Sequence, residues 1–366
     1  MKKIGIDARL YSQTGVGTYL KNLLYYLEEN DLENQIYFIY LMTEDYNRIS
    51  FKNKNIIKKK VSYRWHSIGE QFGFAIKLYL DNLDLMHFTY FSYPILYFKK
   101  FIATVHDTTP LLFKTGKAST KNKLIYSIKH LFFRLIIWCQ IIRALRIITP
   151  TNTVKKQLIN LYGKTISEKI IPIYEGVSYQ IKETKENKSL SKKFNSFFIY
   201  VGNFYPHKNI KNLIKAFQNV NKKYNLILLG PDDYFTKRTL RCIDTLKSND
   251  QIFLLKNPSL QDLVFFYKNA IAIIHPSLSE GFGLPIIEAA YFNCPIIASD
   301  IKVFKELLGN NYLSFNPNDV DDISNKIKKF LETKHSFNYE NILKQYSFEK
   351  MTDETLEIYM NVLNKD

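Results

Sequence analysis

The chain holds 366 residues, 46% hydrophobic and 23% charged, which excludes a disordered or fibrous protein and suits two domains of ordinary size. Three widely separated cysteines, Cys139, Cys242 and Cys294, exclude a disulfide scaffold and a cysteine-rich zinc module. A reducing, cytoplasmic setting is expected. The net charge of +17 is uneven: residues 1–180 hold 26 Lys and Arg against 13 Asp and Glu, the remainder 25 against 21. The first half is the part that attracts anions, but no nucleic-acid reading module accompanies the charge.

Met1-Lys2-Lys3 is followed too soon by Asp7 and Arg9 for an export signal. Ile4–Ala8 reads as a first strand, and Val16, Tyr19, Leu20, Leu23, Leu24 and Leu27 then recur at helical spacing. Strands follow at Ile36–Met42 and Ile56–Trp65, a helix at Ile68–Leu83, and strands at Leu85–Thr89 and Phe101–His106. A long helical stretch from Thr120 to Leu145 leads into strand Ile147–Thr151, helix Val154–Tyr162 and strand Ile170–Tyr174. Residues 179–195 turn polar and read as a connection.

The alternation then resumes: strand Phe197–Val201, helix Ile210–Val220, strand Asn225–Leu229, helix Phe235–Leu246 and strand Gln251–Leu255. Helix Leu260–Asn269, strand Ile271–His275, helix Pro285–Phe292, strand Pro295–Ala298 and helix Lys302–Leu308 complete it. Phe348–Leu363 is a further helix without a strand of its own, expected to pack back on the first domain. Strand–helix alternation of this kind specifies parallel sheets covered on both faces. The expected architecture is α/β, two doubly wound domains (1–178 and 196–347) facing a cleft, with ligands at the carboxyl ends of the strands.

The richest stretch is Ser279-Glu280-Gly281-Phe282-Gly283-Leu284-Pro285-Ile286-Ile287-Glu288. A buried strand ends, a glycine turn follows, and Pro285 opens a helix whose first amides form an anion site. Glu280 and Glu288 are expected to face one pocket, where carboxylates accept hydrogen bonds from ribose or hexose hydroxyls. A solvated βαβ turn is the plainer reading of the same residues. Gly202-Asn203-Phe204-Tyr205-Pro206-His207-Lys208-Asn209 follows the first strand of the second half, and Lys208 is placed to neutralise a diphosphate. Gly230-Pro231 adds another tight turn on that face. In the first half, Gly15-Val16-Gly17 follows the first strand but lacks full dinucleotide spacing. His106 and Asp107 end a strand, where a histidine is either a structural hydrogen-bonder or a catalytic group facing the cleft. No HExxH, CxxC, GxSxG or complete P-loop is present, so neither a metal nor an activated nucleophile is expected.

Together these residues resemble the retaining glycosyltransferases of family 4, which have the GT-B fold of two Rossmann-like domains. The family's Glu-x7-Glu motif is matched by Glu280 and Glu288 with Gly-Phe-Gly-Leu-Pro between them. The resemblance implies transfer of a sugar from a nucleoside-diphosphate donor, with retention and without a metal or other cofactor. It assigns the donor sugar to Glu280, the ribose to Glu288, the sugar and diphosphate to the backbone of Gly281, Phe282, Gly283 and Leu284, and the diphosphate to Lys208. It places His106 near the anomeric carbon, Asp107 beside it, and Gly15 and Gly17 beside the donor phosphates. Gly202-Asn203-x-x-Pro-His-Lys-Asn resembles a subgroup using mannose or rhamnose donors, although many members carry arginine where this chain has Asn203.

The implied acceptor is a saccharide or lipid-linked saccharide, in polysaccharide or glycolipid biosynthesis. A non-hydrolysing sugar-nucleotide epimerase or a silent sugar-nucleotide-binding protein are the alternatives. In residues 121–146, Lys121, Lys123, Lys129, Arg134, Arg143 and Arg146 punctuate a strongly apolar helix. That stretch either lies peripherally on an anionic membrane surface or packs its apolar face on the sheet while the cations are solvated.

Overall fold

The computed structural model describes residues 1–32, 34–112 and 123–364; the side chains of residues 110, 112 and 123–130 lie outside the description. The chain divides into two units, Met1–Glu175 with Ser347–Asp366, and Gly176–Tyr346.

In unit 1 the strands are β1 (Lys2–Asp7), β2 (Gln35–Met42), β3 (Ile56–Val61), β4 (Leu85–Phe88), β5 (Phe101–Thr104), β6 (Ile147–Thr149) and β7 (Ile170–Pro172). They form one parallel sheet in the order β3-β2-β1-β4-β5-β6-β7. Residues such as Ile4, Ile6, Ile39 and Leu85 are fully buried because helices cover both faces, which is why the central strands are largely apolar while the edge strand β3 carries Lys58, Lys59 and Lys60. The helix Val16–Glu29 buries Tyr19, Leu20, Leu23 and Leu27, and the helix Phe348–Leu363 packs against it. Tyr359 of that last helix bonds His87 Nδ1 at 2.6 Å, and His87 Nε2 reaches Thr104 Oγ1 at 2.7 Å. Burial, reinforced by the charge of His106, pushes His87 down to about 3, so its ring is neutral and needs both hydroxyl partners.

Unit 2 contains β8 (Phe197–Val201), β9 (Asn225–Gly230), β10 (Ile252–Lys256), β11 (Ile273–His275), β12 (Ile296–Ser299) and β13 (Leu313–Phe315), ordered β10-β9-β8-β11-β12-β13 and parallel throughout. The helix Ile210–Phe217 turns Leu213, Ile214 and Phe217 into a core with Phe198, Leu226 and Leu228. In each sheet the order reverses beside the first strand: between β1 and β4, and between β8 and β11. Crevices at such switch points are where doubly wound sheets receive ligands.

Three expectations need correction. The polar stretch read as a connection, 179–195, is folded into unit 2 as a helix, Tyr179–Glu183, and a 3-10 turn, Lys188–Lys192. Asn187 anchors it on Gln261 O and Asp262, and Phe194 packs on Phe266, contacts that a reading of local polarity cannot foresee. The helix expected at Ile68–Leu83 is a π-helical turn, Glu70–Phe74, running into a helix, Ala75–Leu80. The wider turn accompanies the inward course of Glu70, whose carboxylate meets Arg9 at 2.7 Å. β13 also went unread, because its three residues, Leu313–Phe315, are too short a signal, and with it the helix Val320–Glu332 that follows. The beginning of the helix expected from Thr120 lies outside the described residues, and its described part runs Lys123–Arg143.

Replacing Tyr359 by Phe leaves a buried His87 nitrogen without its partner. We expect a loss of about 1–3 kcal/mol, read as a lower urea midpoint with an unchanged slope.

Candidate active site

The six-stranded sheet brings the loops after β8 and β11 side by side. Leu278 N donates to His207 O at 2.8 Å, so residues 206–208 and 276–280 are held as one surface. Within it, Lys208 Nζ donates to both oxygens of Glu280, at 2.6 and 2.7 Å. Glu280 also accepts from Ser277 Oγ at 2.7 Å and lies 3.0 Å from His275 Nε2, the last residue of β11. Burial alone would raise this carboxyl; the charge of Lys208 and the His275 hydrogen bond outweigh it and hold Glu280 well below the usual carboxylate range. His275 is itself lowered by burial against the pull of Glu280. Its ring is stacked on Tyr200 at 5.5 Å and edged by Phe304 at 5.6 Å, which fixes its plane.

The turn that follows is tightly constrained. Phe282 is buried with its ring against Tyr346. Gly283 has φ of +100°, and a Cβ there would lie 2.9 Å from the Phe304 ring, so both conformation and space require glycine. It caps the helix Leu284–Tyr291, with Pro285 in its first turn. Gly281 and Leu284 lie in this same turn, Gly281 buried and Leu284 half-buried.

Glu288, a turn into that helix, is buried and accepts from Tyr267 Oη at 2.7 Å. Burial pushes it up to about 7, the Tyr267 hydrogen bond pulling the other way. Thus the two glutamates of the motif differ: Glu280 is held ionised by a cation, and Glu288 retains a proton near neutrality. Among the described residues they share no hydrogen-bond partner. Gly202 and Asn203 follow β8: Tyr200 Oη donates to Asn203 O at 2.6 Å, and a Cβ on Gly202 would sit 2.9 Å from that hydroxyl. A Cβ on Gly230 would sit 2.4 Å from Gly202 O, so the Gly230-Pro231 turn also closes on this loop.

In unit 1, His106 lies two residues beyond the end of β5 rather than inside it. Its Nε2 donates to Thr89 O at 2.9 Å, Nδ1 is 3.3 Å from Glu175 Oε1, and Tyr19 packs edge-on at 4.7 Å. Asp107 accepts from Thr109 N at 2.6 Å. Gly15, with φ of +70°, starts the helix Val16–Glu29 and has no atom within 4 Å of where a Cβ would stand. A Cβ on Gly17 would lie 2.5 Å from Tyr11 O.

Several residues escaped the sequence reading. Arg9, buried at the β1 end, bonds Asp7 at 2.6 Å, Glu70 at 2.7 Å and Ser92 at 2.9 Å. Polar or charged residues at the end of a buried strand were the available signal, as they were for His275 and Ser277 at the end of β11 and for Glu175 after β7. Tyr267 gave none, since it sits in an apolar helical run that reads as core. No group of three or more His, Cys, Asp or Glu able to hold a metal occurs among the described residues.

The family profile "Glycosyltransferase Family 4" matches residues 13–180, and "Glycosyl transferases group 1" matches 181–350. O-antigen chain mannosyltransferase RfbU of Salmonella typhimurium is 33% identical over 262 residues, covering 69% of this chain and 71% of that protein. O-antigen chain mannosyltransferase B of Escherichia coli is 30% identical over 175 residues, 44% of this chain and 45% of that protein. Sucrose-phosphate synthase from Thermosynechococcus elongatus superposes with a TM-score of 0.78 at 14% identity, each chain covered completely. Anabaena HepE in complex with UDP and glucose does so at 0.76 and 15%, covering 99% and 100%. At such identities the structures speak for the fold alone, and that fold is GT-B.

Two outcomes test this geometry. Lys208→Met strands a buried charge and should cost about 3–5 kcal/mol, largely recovered by adding Glu280→Gln, as double-variant unfolding curves would show. Glu288 binds its proton more tightly folded than unfolded, so its contribution is complete below about pH 4.5 and lost as pH rises through about 7, in all about 3 kcal/mol. Glu288→Gln should therefore gain melting temperature relative to the parent between about pH 5 and pH 8; a constant difference overturns the assignment.

Proposed function

Since this chain belongs to the glycosyltransferases of family 4, we propose that it moves a hexose, of mannose or rhamnose type, from a nucleoside-diphosphate-sugar to a saccharide or lipid-linked saccharide in polysaccharide or glycolipid synthesis. The carrying observation is the buried Lys208–Glu280 pair at the β8/β11 switch point. Mannose is favoured by the names of the two O-antigen relatives.

In this reading unit 2 holds the donor. Sugar hydroxyls replace part of the hydrogen bonding around Glu280, and the diphosphate draws Lys208 toward itself. Ribose hydroxyls meet Glu288, whose hydrogen bond from Tyr267 fixes its carboxyl. Asn203, Gly202 and the backbone of Gly281 to Leu284 line the diphosphate and sugar. In unit 1, Gly15 and Gly17 serve the donor phosphates, and His106 and Asp107 the reacting carbon.

The bond from the anomeric carbon to the diphosphate oxygen breaks with its electron pair leaving on phosphate, where Lys208 and helix-start amides stabilise the charge. The acceptor oxygen bonds that carbon from the same face, which retains configuration. Its proton passes to the departing phosphate oxygen. The charge is met by Lys208 and amides, so a metal chelator is expected to leave turnover unchanged.

A thermal-shift series with GDP-, UDP- and dTDP-sugars tests the donor; occupancy at a hundredfold excess over Kd adds about 2.7 kcal/mol of stability. We expect GDP-mannose to give the largest shift. With that donor, Glu280→Gln should lower turnover about a hundredfold while the far-ultraviolet spectrum is unchanged. Unchanged turnover refutes its role, and release of an epimerised nucleotide-sugar without an acceptor refutes transfer.

A further inference from the structure

Unit 1 leaves two rows of apolar side chains uncovered. The helix Lys123–Arg143 buries Ile136, Ile137 and Ile141 in the core, but Leu131, Leu135, Trp138 and Ile142 are 68%, 45%, 51% and 40% exposed. Their spacing of four, three and four is that of one continuous stripe along a helix. A second row, Ile68, Phe72, Ile76 and Leu80, recurs every four residues and is 80%, 57%, 60% and 80% exposed. On that segment Phe74, Ala75 and Leu78 supply the buried side, so the second row is surplus to packing.

Both rows flank the same loop. From one side Arg143 donates to Ile95 O at 2.7 Å and Tyr97 O at 2.9 Å. From the other, Tyr79 Oη donates to Leu96 O at 3.0 Å and accepts from Phe98 N at 2.8 Å. The loop adds Leu96 and Phe98, both exposed, with the Arg143 guanidinium 4.4 Å over the Phe98 ring. Exposed apolar residues are common singly, whereas two joined rows mark a surface that meets something.

Charge selects the partner. Among residues 62–146 whose side chains are described, seven Lys and Arg stand against four Asp and Glu. All four acids have partners within the unit: Glu70 with Arg9, Asp81 with Lys59, Asp84 with Lys3 N and Asp107 with Thr109 N. Arg64, Lys100 and Arg134 are exposed. We propose that this double row docks unit 1 on an anionic lipid bilayer, apolar side chains entering the acyl boundary while the cations stay with headgroups. No helix among the described residues is long and apolar enough to cross a membrane, so the association is peripheral. The sequence pointed only to residues 121–146; the row from Ile68 to Leu80 doubles the surface. This docking is independent of sugar transfer, and either reading can fail alone.

Trp138 is one of two tryptophans, so Trp65→Phe makes it the sole reporter on this face. The full chain is floated with phosphatidylcholine vesicles, with and without phosphatidylglycerol, some carrying brominated acyl chains. We expect flotation only with phosphatidylglycerol, weakening with salt, and quenching of Trp138 by the bromolipid. Phe72→Ser with Ile76→Ser, on the other row, should weaken binding at least about tenfold with an unchanged melting curve. Arg134→Gln should weaken it about fivefold. Absence of flotation, equal binding to phosphatidylcholine alone, or bound protein with unquenched Trp138 overturns the proposal. So does lipid-independent self-association abolished by the Phe72/Ile76 pair of changes, which would assign the face to a second copy.

Discussion

A carboxylate that stays ionised while almost out of reach of water must keep a cation and hydrogen-bond donors beside it. Glu280 meets that condition with Lys208, Ser277 and His275, and the arrangement dictates much of unit 2 around it. Lys208 must come from the loop after β8 and Glu280 from the loop after β11, which are neighbours only because the strand order reverses there. The close turn through Gly283, the stacked Tyr200 and the edge of Phe304 hold the donors of that carboxylate in place. An assembly of this kind is fragile toward loss of any one member.

Unit 1 answers the same topological situation with opposite polarity. At its switch point a buried cation, Arg9, is surrounded by Asp7, Glu70 and Ser92, with Phe74 packed 4.0 Å from the guanidinium. Burial would lower Arg9, and the two carboxylates more than offset this. Arg9 makes side-chain hydrogen bonds to Asp7, Glu70, Ser92 and Tyr63 O, all within the unit, which holds this end of the sheet as a rigid frame. His106 is likewise engaged at both nitrogens, so the unit supplies a fixed ring rather than a loose one.

Most strands were legible because parallel strands buried on both faces are continuous apolar runs, whereas the edge strand β3, with Lys58, Lys59 and Lys60 at its centre, showed itself only by its apolar ends. Strand boundaries were not: Val105 prolongs the apolar run, so His106 read as a strand residue although β5 stops at Thr104. Lys208, Glu280 and Glu288 were legible as charges set after buried strands and glycine turns, but the pairing of the first two, across 72 residues of chain, was not. Nor was the different state of the glutamates, which depends on Tyr267 arriving from another helix. The row Ile68 to Leu80 was hidden because its helix is apolar on both sides, and only packing decides which side remains uncovered.

The chain passes from unit 1 to unit 2 after Glu175 and returns after Tyr346. Unit 2 is therefore drawn from one uninterrupted stretch, whereas unit 1 is assembled from the two segments on either side of it. During synthesis from the amino terminus, the later-born unit has all its residues before the earlier one does. Until the helix Phe348–Leu363 emerges from the ribosome, the helix Val16–Glu29 lacks its neighbour and His87 lacks Tyr359. The first half to be translated is thus the last to be finished, and during that interval the face of Val16–Glu29 that packs on Phe348–Leu363 stays uncovered.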